Sequence, residues 1–125
     1  MYDLIVIGGG PGGYLGAERA GHAGLKTMVI EKRALGGVCL NEGCIPSKAL
    51  LNSAKIFDYS NHGEKYGVKS KGAEIDQKAV IERKNKVVKA LVGGVGMQMK
   101  KNHVTVTYAE AKILGKTAEG FEVAA

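Results

Sequence analysis

The chain has 125 residues, 45% apolar and 24% charged, with 18 Lys and Arg against 12 Asp and Glu for a formal net charge of +6. That length supports one core and not two, and the balance of apolar and charged residues excludes a disordered chain. No run approaches the ~20 apolar residues of a membrane span, the N-terminus lacks a basic start and a cleavage site, and two cysteines are too few for a secreted disulfide scaffold, so the chain is read as a cytoplasmic protein.

Leu4 to Ile7 is a short β-branched run ended by glycines, the pattern of a strand covered on both faces. Gly8-Gly9-Gly10-Pro11-Gly12-Gly13 breaks it, and a helix is expected from about Pro11 to Ala23, with Leu15, Ala20 and Ala23 toward the core and Gly24 closing it. Thr27 to Ile30 is a second apolar strand that ends on Glu31, completing a right-handed βαβ unit. Arg33 to Gly43 reads as loop, and Pro46 sits near the start of a helix running through Ala49, Leu50, Leu51, Ala54, Ile56 and Phe57. Asn61-His62-Gly63 ends that helix, and Tyr66-Gly67-Val68 reads as a short extended piece. A long helix is expected over about Asp76 to Lys101, burying a stripe of Val80, Val87, Val88, Leu91, Val95 and Met99, with Gly93, Gly94 and Gly96 weakening or bending it. Val104 to Thr107 reads as a third strand; Ala111 to Leu114 and Phe121 to Val123 read as meander strands turning at Glu119-Gly120.

Gly8, Gly10 and Gly13 satisfy G-x-G-x-x-G, a weak pattern alone and a strong one here. It follows a strand, opens a helix, and is answered by Glu31, 31 minus 13 or 18 residues beyond its last glycine. Gly8 permits the sharp turn, Gly10 lets backbone N–H groups approach a pyrophosphate, and Gly13 lets helix and strand pack closely. The anion rests on the helix N-terminus, and Glu31 accepts from a ribose diol while repelling a 2′-phosphate. The turn does not distinguish NAD from FAD.

Cys39 and Cys44 are five apart. In a regular helix they would point about 140° from each other, and in a strand they would lie about 16 Å apart. A disulfide requires Cα atoms within about 7 Å, hence an irregular turn, for which Gly43 supplies the freedom. Cys44 ahead of a helix N-terminus would have a lowered pKa, and Lys48 one turn on adds positive charge. Unpaired buried cysteines, a zinc site and a structural disulfide are competing uses. Zinc lacks a second Cys or His pair, since His22, His62 and His103 are scattered and read as surface or capping residues; no metal is expected.

Gly8 to Gly13, Glu31 and above all Gly37-Val38-Cys39-Leu40-Asn41-Glu42-Gly43-Cys44-Ile45-Pro46-Ser47-Lys48 resemble the FAD-binding N-terminal domain of the flavoprotein disulfide reductases. Within these class I pyridine nucleotide-disulfide oxidoreductases, the run is most similar to the dihydrolipoyl (lipoamide) dehydrogenase branch. The resemblance covers the whole chain and about the first quarter of such an enzyme. It implies a three-layer, Rossmann-like α/β FAD-binding domain over residues 1–125, truncated at the start of a β-meander, without the NAD-binding and dimerisation domains.

The resemblance also implies roles. FAD would lie with its pyrophosphate on Gly8, Gly10, Pro11, Gly12 and Gly13, and its AMP ribose on Glu31 beside Lys32. Its flavin ring would lie near Gly37, Val38, Cys39 and Lys48, and its adenine against the backbone near Ala111. Cys39 would be the interchange thiol and Cys44 the flavin-side thiolate, passing electrons from dihydrolipoamide, free or on a lipoyl-bearing protein, through FAD to NAD. Val38 stands where many members carry Thr, and Glu42 has no assigned role. The complete enzyme would be a homodimer, and this chain, lacking the family's His-Glu pair, is expected to be inactive alone. Alternatives are the same portion of a glutathione or mercuric reductase, or a non-catalytic nucleotide-binding or assembly module. The basic residues are scattered over Lys65, Lys69, Lys71, Arg83, Lys84, Lys86, Lys89, Lys100 and Lys101, a solvated face and not a nucleic-acid footprint.

Overall fold

The computed structural model describes residues 1–125. The elements in order are β1 (Leu4–Ile7), α1 (Pro11–His22), β2 (Thr27–Glu31), α2 (Gly37–Asn41), α3 (Cys44–Asn61), a 3-10 turn (Gly63–Tyr66), α4 (Gln77–Lys101), β3 (Thr105–Tyr108), β4 (Lys112–Thr117) and β5 (Gly120–Ala124). The first three strands form a parallel sheet in the order β1-β2-β3, and β4 and β5 form a separate antiparallel hairpin. This is the α/β, Rossmann-like arrangement that the βαβ pattern predicts.

Period-two alternation decides which side of the sheet meets the helices. Val6, Val29 and Val106 are register partners and so share a face. On that face they pack with Ala17 of α1, Leu40 of α2, and Val95 and Met99 of α4. Met99, 1% exposed, is the largest fully buried side chain. Met99→Ala is expected to lower the free energy of unfolding by about 2–5 kcal/mol, read from the urea midpoint.

Several expectations are corrected by this packing. β1 is not covered on both faces: Leu4 and Ile7, on opposite faces of the strand, stay exposed, and Ile5 and Val6 are only half-buried. On α1 the buried residue is Ala17, while Leu15 is 52% exposed and Ala23 lies at the exposed end of the helix. Gly24 does close α1, with φ +87° and its N–H on the Gly21 carbonyl at 3.0 Å. The segment read as loop from Arg33 to Gly43 contains the single helical turn α2. Tyr66 to Val68 is not extended, since Tyr66 ends the 3-10 turn and Gly67 follows in the left-handed region.

α4 runs unbroken through Gly93, Gly94 and Gly96, held by packing at Val95 and Met99, although Leu91 is 43% exposed. Its N-terminus is capped by Asp76, which accepts from the Ala79 N–H at 3.0 Å, and Lys100 and Lys101 complement the dipole at its other end. The third strand begins one residue later than predicted, and the hairpin turns where expected. No helix is long and apolar enough to cross a membrane.

Candidate active site

Two short segments build the site, and their backbones touch. The first is the glycine turn leaving β1. Gly8 takes φ +100° and donates to the Ile30 carbonyl at 2.8 Å, which reverses the chain into α1. A Cβ on Gly13 would lie 1.9 Å from the Gly8 carbonyl oxygen, so only glycine admits this approach of helix to turn. α1 has no side-chain cap and begins at Pro11, which has no N–H. The N–H groups of its first turn are thus free for an anion at the positive end of the helix.

The second segment is Leu35-Gly36-Gly37 and the turn of α2. Gly36 donates to the Gly9 carbonyl at 2.8 Å, and a Cβ on Gly37, itself at φ +59°, would lie 2.7 Å from the Gly10 Cα. The strap therefore lies directly on the glycine turn. Asn41 fixes the far end of α2 by donating its Nδ2 to the carbonyls of Leu35 at 3.0 Å and Gly37 at 2.8 Å.

Cys39 lies on α2 and Cys44 is the first residue of α3, not ahead of it. The reversal between the helices brings their Cα atoms to 4.8 Å, and the two sulfurs form a disulfide. Cys44 is exposed, whereas Cys39 is half-buried against the core. Glu42, between them, is ion-paired with Arg33 just beyond β2.

Glu31 ends β2 beneath the strap. Its carboxylate accepts from the N–H groups of Gly9 and Arg33, each at 2.7 Å. Burial pushes its pKa up, but the backbone N–H groups of Gly9, Arg33 and Ala34 and the charge of Lys32 outweigh this and hold it below the ordinary 4.5. A depressed carboxylate pKa stabilises the fold fully above the unfolded value and loses that contribution as pH falls through the folded value. The urea midpoint is therefore expected to fall on acidification below about pH 4.5, and Glu31→Gln is expected to remove that part of the pH dependence.

A family of pyridine nucleotide-disulphide oxidoreductases matches residues 2–125. The chain belongs to this family. It is 49% identical over 113 residues to a dihydrolipoyl dehydrogenase of Rhizobium etli, covering 90% of this chain and 24% of that protein. It is 46% identical to the dihydrolipoyl dehydrogenase of Bacillus subtilis, over 91% of this chain and 24% of the relative. A mitochondrial dihydrolipoyl dehydrogenase of Dictyostelium discoideum is 48% identical over 90% of this chain and 24% of its own length. The chain thus spans about a quarter of the length of the curated relatives it matches.

Within this family member the predicted cofactor-site residues fall into three groups. Gly8, Gly10, Pro11, Gly12 and Gly13 form the turn and the start of α1. Glu31, Lys32, Gly37 and Val38 line one cavity of about 350 Å³, with Arg33 and Glu42 at its wall. Lys48 on α3 and Ala111 between β3 and β4 are not brought to that cavity, although the Ala109 N–H bonds the Glu31 carbonyl at 3.1 Å and so ties the exit of β3 to the same strand end. A larger space of about 930 Å³ between β1 and the hairpin contains none of these residues. Its lining is mostly apolar, with Ile5, Ile7, Ile113 and Phe121.

Sequence reasoning missed Gly9, Leu35, Gly36, Arg33 and Asn41 as structural parts of the site. The Gly36-Gly37 pair was the available signal, but it marks a loop equally well. His22, His62 and His103 are exposed, and no cluster of three or more His, Cys, Asp or Glu side chains has the geometry of a metal site.

Proposed function

We propose that residues 1–125 are the FAD-binding, redox-active-disulfide portion of a dihydrolipoyl dehydrogenase. The observation that carries this reading is the strap contact: the Cys39–Cys44 disulfide stands on a segment whose Gly37 touches Gly10 of an open diphosphate cradle. The residues present fit a dinucleotide. Gly13 and Gly37 leave only backbone at the turn, α1 offers uncapped N–H groups, and the Glu31 carboxylate, already held by backbone N–H groups, keeps acceptor capacity for a ribose hydroxyl. Lys32, Val38, Lys48 and the backbone at Ala111 are the further residues that would hold the cofactor.

The chain's own chemistry is dithiol exchange. One thiolate of dihydrolipoamide attacks Cys39, forming a mixed disulfide and releasing Cys44 as a thiolate, which the N-terminus of α3 favours. The second substrate thiol displaces Cys39, closing lipoamide and leaving the Cys39/Cys44 dithiol. Bound on Gly8 to Gly13 and Glu31, FAD would offer a two-electron acceptor for this dithiol, with NAD as final acceptor in the complete enzyme.

The assignment of exchange to Cys39 is supported by the family resemblance, whereas exposure favours Cys44, so single-cysteine variants are needed to separate them. None of the three histidines, His22, His62 and His103, lines the cavity formed by Glu31, Lys32, Gly37 and Val38, and steady-state NAD reduction by this chain alone is not expected. In the complete protein the reading includes a homodimer acting on dihydrolipoamide or a lipoyl-bearing protein in a reducing, cytoplasmic compartment.

The test is titration of the purified chain with FAD, followed by dihydrolipoamide, with intact mass read at each step. Saturable flavin binding and a gain of two protons on the cysteine pair are expected. Failure to bind FAD, or a disulfide that dihydrolipoamide does not reduce, overturns the reading.

A further inference from the structure

Glu42 is the only carboxylate in the loop that the disulfide closes, three residues after Cys39 and two before Cys44. Consecutive Cα atoms are 3.8 Å apart, so the Glu42 backbone lies within about 8 Å of that of Cys44. Its side chain pairs with Arg33, which the β2 strand end and the Glu31 carboxylate position from below. With side-chain exposures of 66% and 51%, the pair adds little to stability. Its charge is another matter, because a carboxylate near a sulfur opposes formation of the thiolate on which exchange depends.

We propose that Arg33 is a positioning residue that acts through Glu42 to set the redox poise of the Cys39–Cys44 couple: by neutralising the one negative charge in the loop, it keeps the reduced, thiolate-bearing state accessible. This inference rests on the redox role proposed above. Lys32 beside Arg33 adds positive charge to the region, as does Lys48 on α3, whereas the Glu31 carboxylate, on the same cavity wall as Arg33 and Glu42, adds negative charge outside the disulfide loop that none of the substitutions below alters. A Coulomb term between such near neighbours at a partly exposed site corresponds to a few-fold change in an equilibrium constant, not a thousandfold one.

The measurement is the equilibrium of the pair with glutathione. The thiolate of one glutathione attacks a cysteine sulfur, forming a mixed disulfide and releasing the other cysteine. A second glutathione thiolate attacks the mixed disulfide, freeing the first cysteine and forming glutathione disulfide. Two electrons pass to the protein, and the two glutathione protons go to the cysteines or, where a thiolate persists, to solvent. Arg33→Ala is expected to shift this equilibrium about three- to tenfold toward the protein disulfide, and Glu42→Gln by a similar factor toward the dithiol; tenfold is about 30 mV for a two-electron couple.

The double variant should return close to the parent, Arg33→Lys should retain its poise, and molar salt should shrink both single shifts. A mere mechanical tether would be cut equally by either substitution and would move both variants in one direction. Shifts of the same sign, or no shift in either, overturn the proposal. A parent disulfide that glutathione cannot reversibly reduce overturns the redox role itself, and this inference with it.

Discussion

Gly13→Ala is expected to lower the thermal midpoint by about 10 °C and to abolish flavin binding. The added methyl would lie 1.9 Å from the Gly8 oxygen and 3.0 Å from the Gly8 carbonyl carbon, both backbone atoms. No side-chain rotation relieves that overlap, so either α1 moves off β1 or the turn opens. Overpacking of this kind costs about 3 kcal/mol or more, and each kcal/mol is worth about 4 °C at this chain length. Gly12→Ala is the control. A Cβ there meets nothing within 4 Å, and α1 should gain a few tenths of a kcal/mol from the better helix former. Equal losses from the two substitutions would show that helix entropy, and not contact at Gly8, governs the turn.

Serine at either cysteine is expected to abolish reversible dithiol exchange outright, a loss of at least about a thousandfold, because the remaining thiol has no intramolecular partner. The two variants should then diverge. With Cys39 as the attacked sulfur, Cys44→Ser leaves a thiol that attacks glutathione disulfide, releases one glutathione and keeps a stable mixed disulfide, visible by intact mass. Cys39→Ser should keep Cys44 at the start of α3 and, in the presence of FAD, should alone retain a long-wavelength charge-transfer band. The opposite pattern would give the exchange role to Cys44, the more exposed of the two. Folding should survive in both variants, since the bond closes a loop of only five residues' separation, for which the entropic gain is small.

Much of this site was legible because its chemistry demands specific residues at specific spacings. The strand runs at Leu4 and Thr27, the glycines between them and Glu31 at the close of β2 all lie where local pattern places them. Cys39, Gly43 and Cys44 required a chain reversal, and the structure supplies one between α2 and α3. What was illegible depends on contacts between distant residues. The turn of α2 is entered through Gly36 and Gly37 at φ +91° and +59°, values that local reading assigns to a loop. Leu15 looks like a core residue by type, yet the close approach of α1 to β1 at Gly13 puts the small Ala17 at the interface instead. The Arg33–Glu42 pair joins residues nine apart, outside any helical or strand period.

The order β1-β2-β3 places β2 between partners of very different origin. Leu4 meets Thr27 from 23 residues away (27 minus 4), whereas Met28 meets Thr105 from 77 (105 minus 28). Helices α2, α3 and α4 fill that excursion, with α3 packed on α4. Such helices zip quickly from near-neighbour contacts, while the last strand must search across a long tether. The pairing of β3 with β2 is therefore expected to be the slowest contact of the sheet to form, and the small cystine ring, closing only five residues' separation, does nothing to shorten that search.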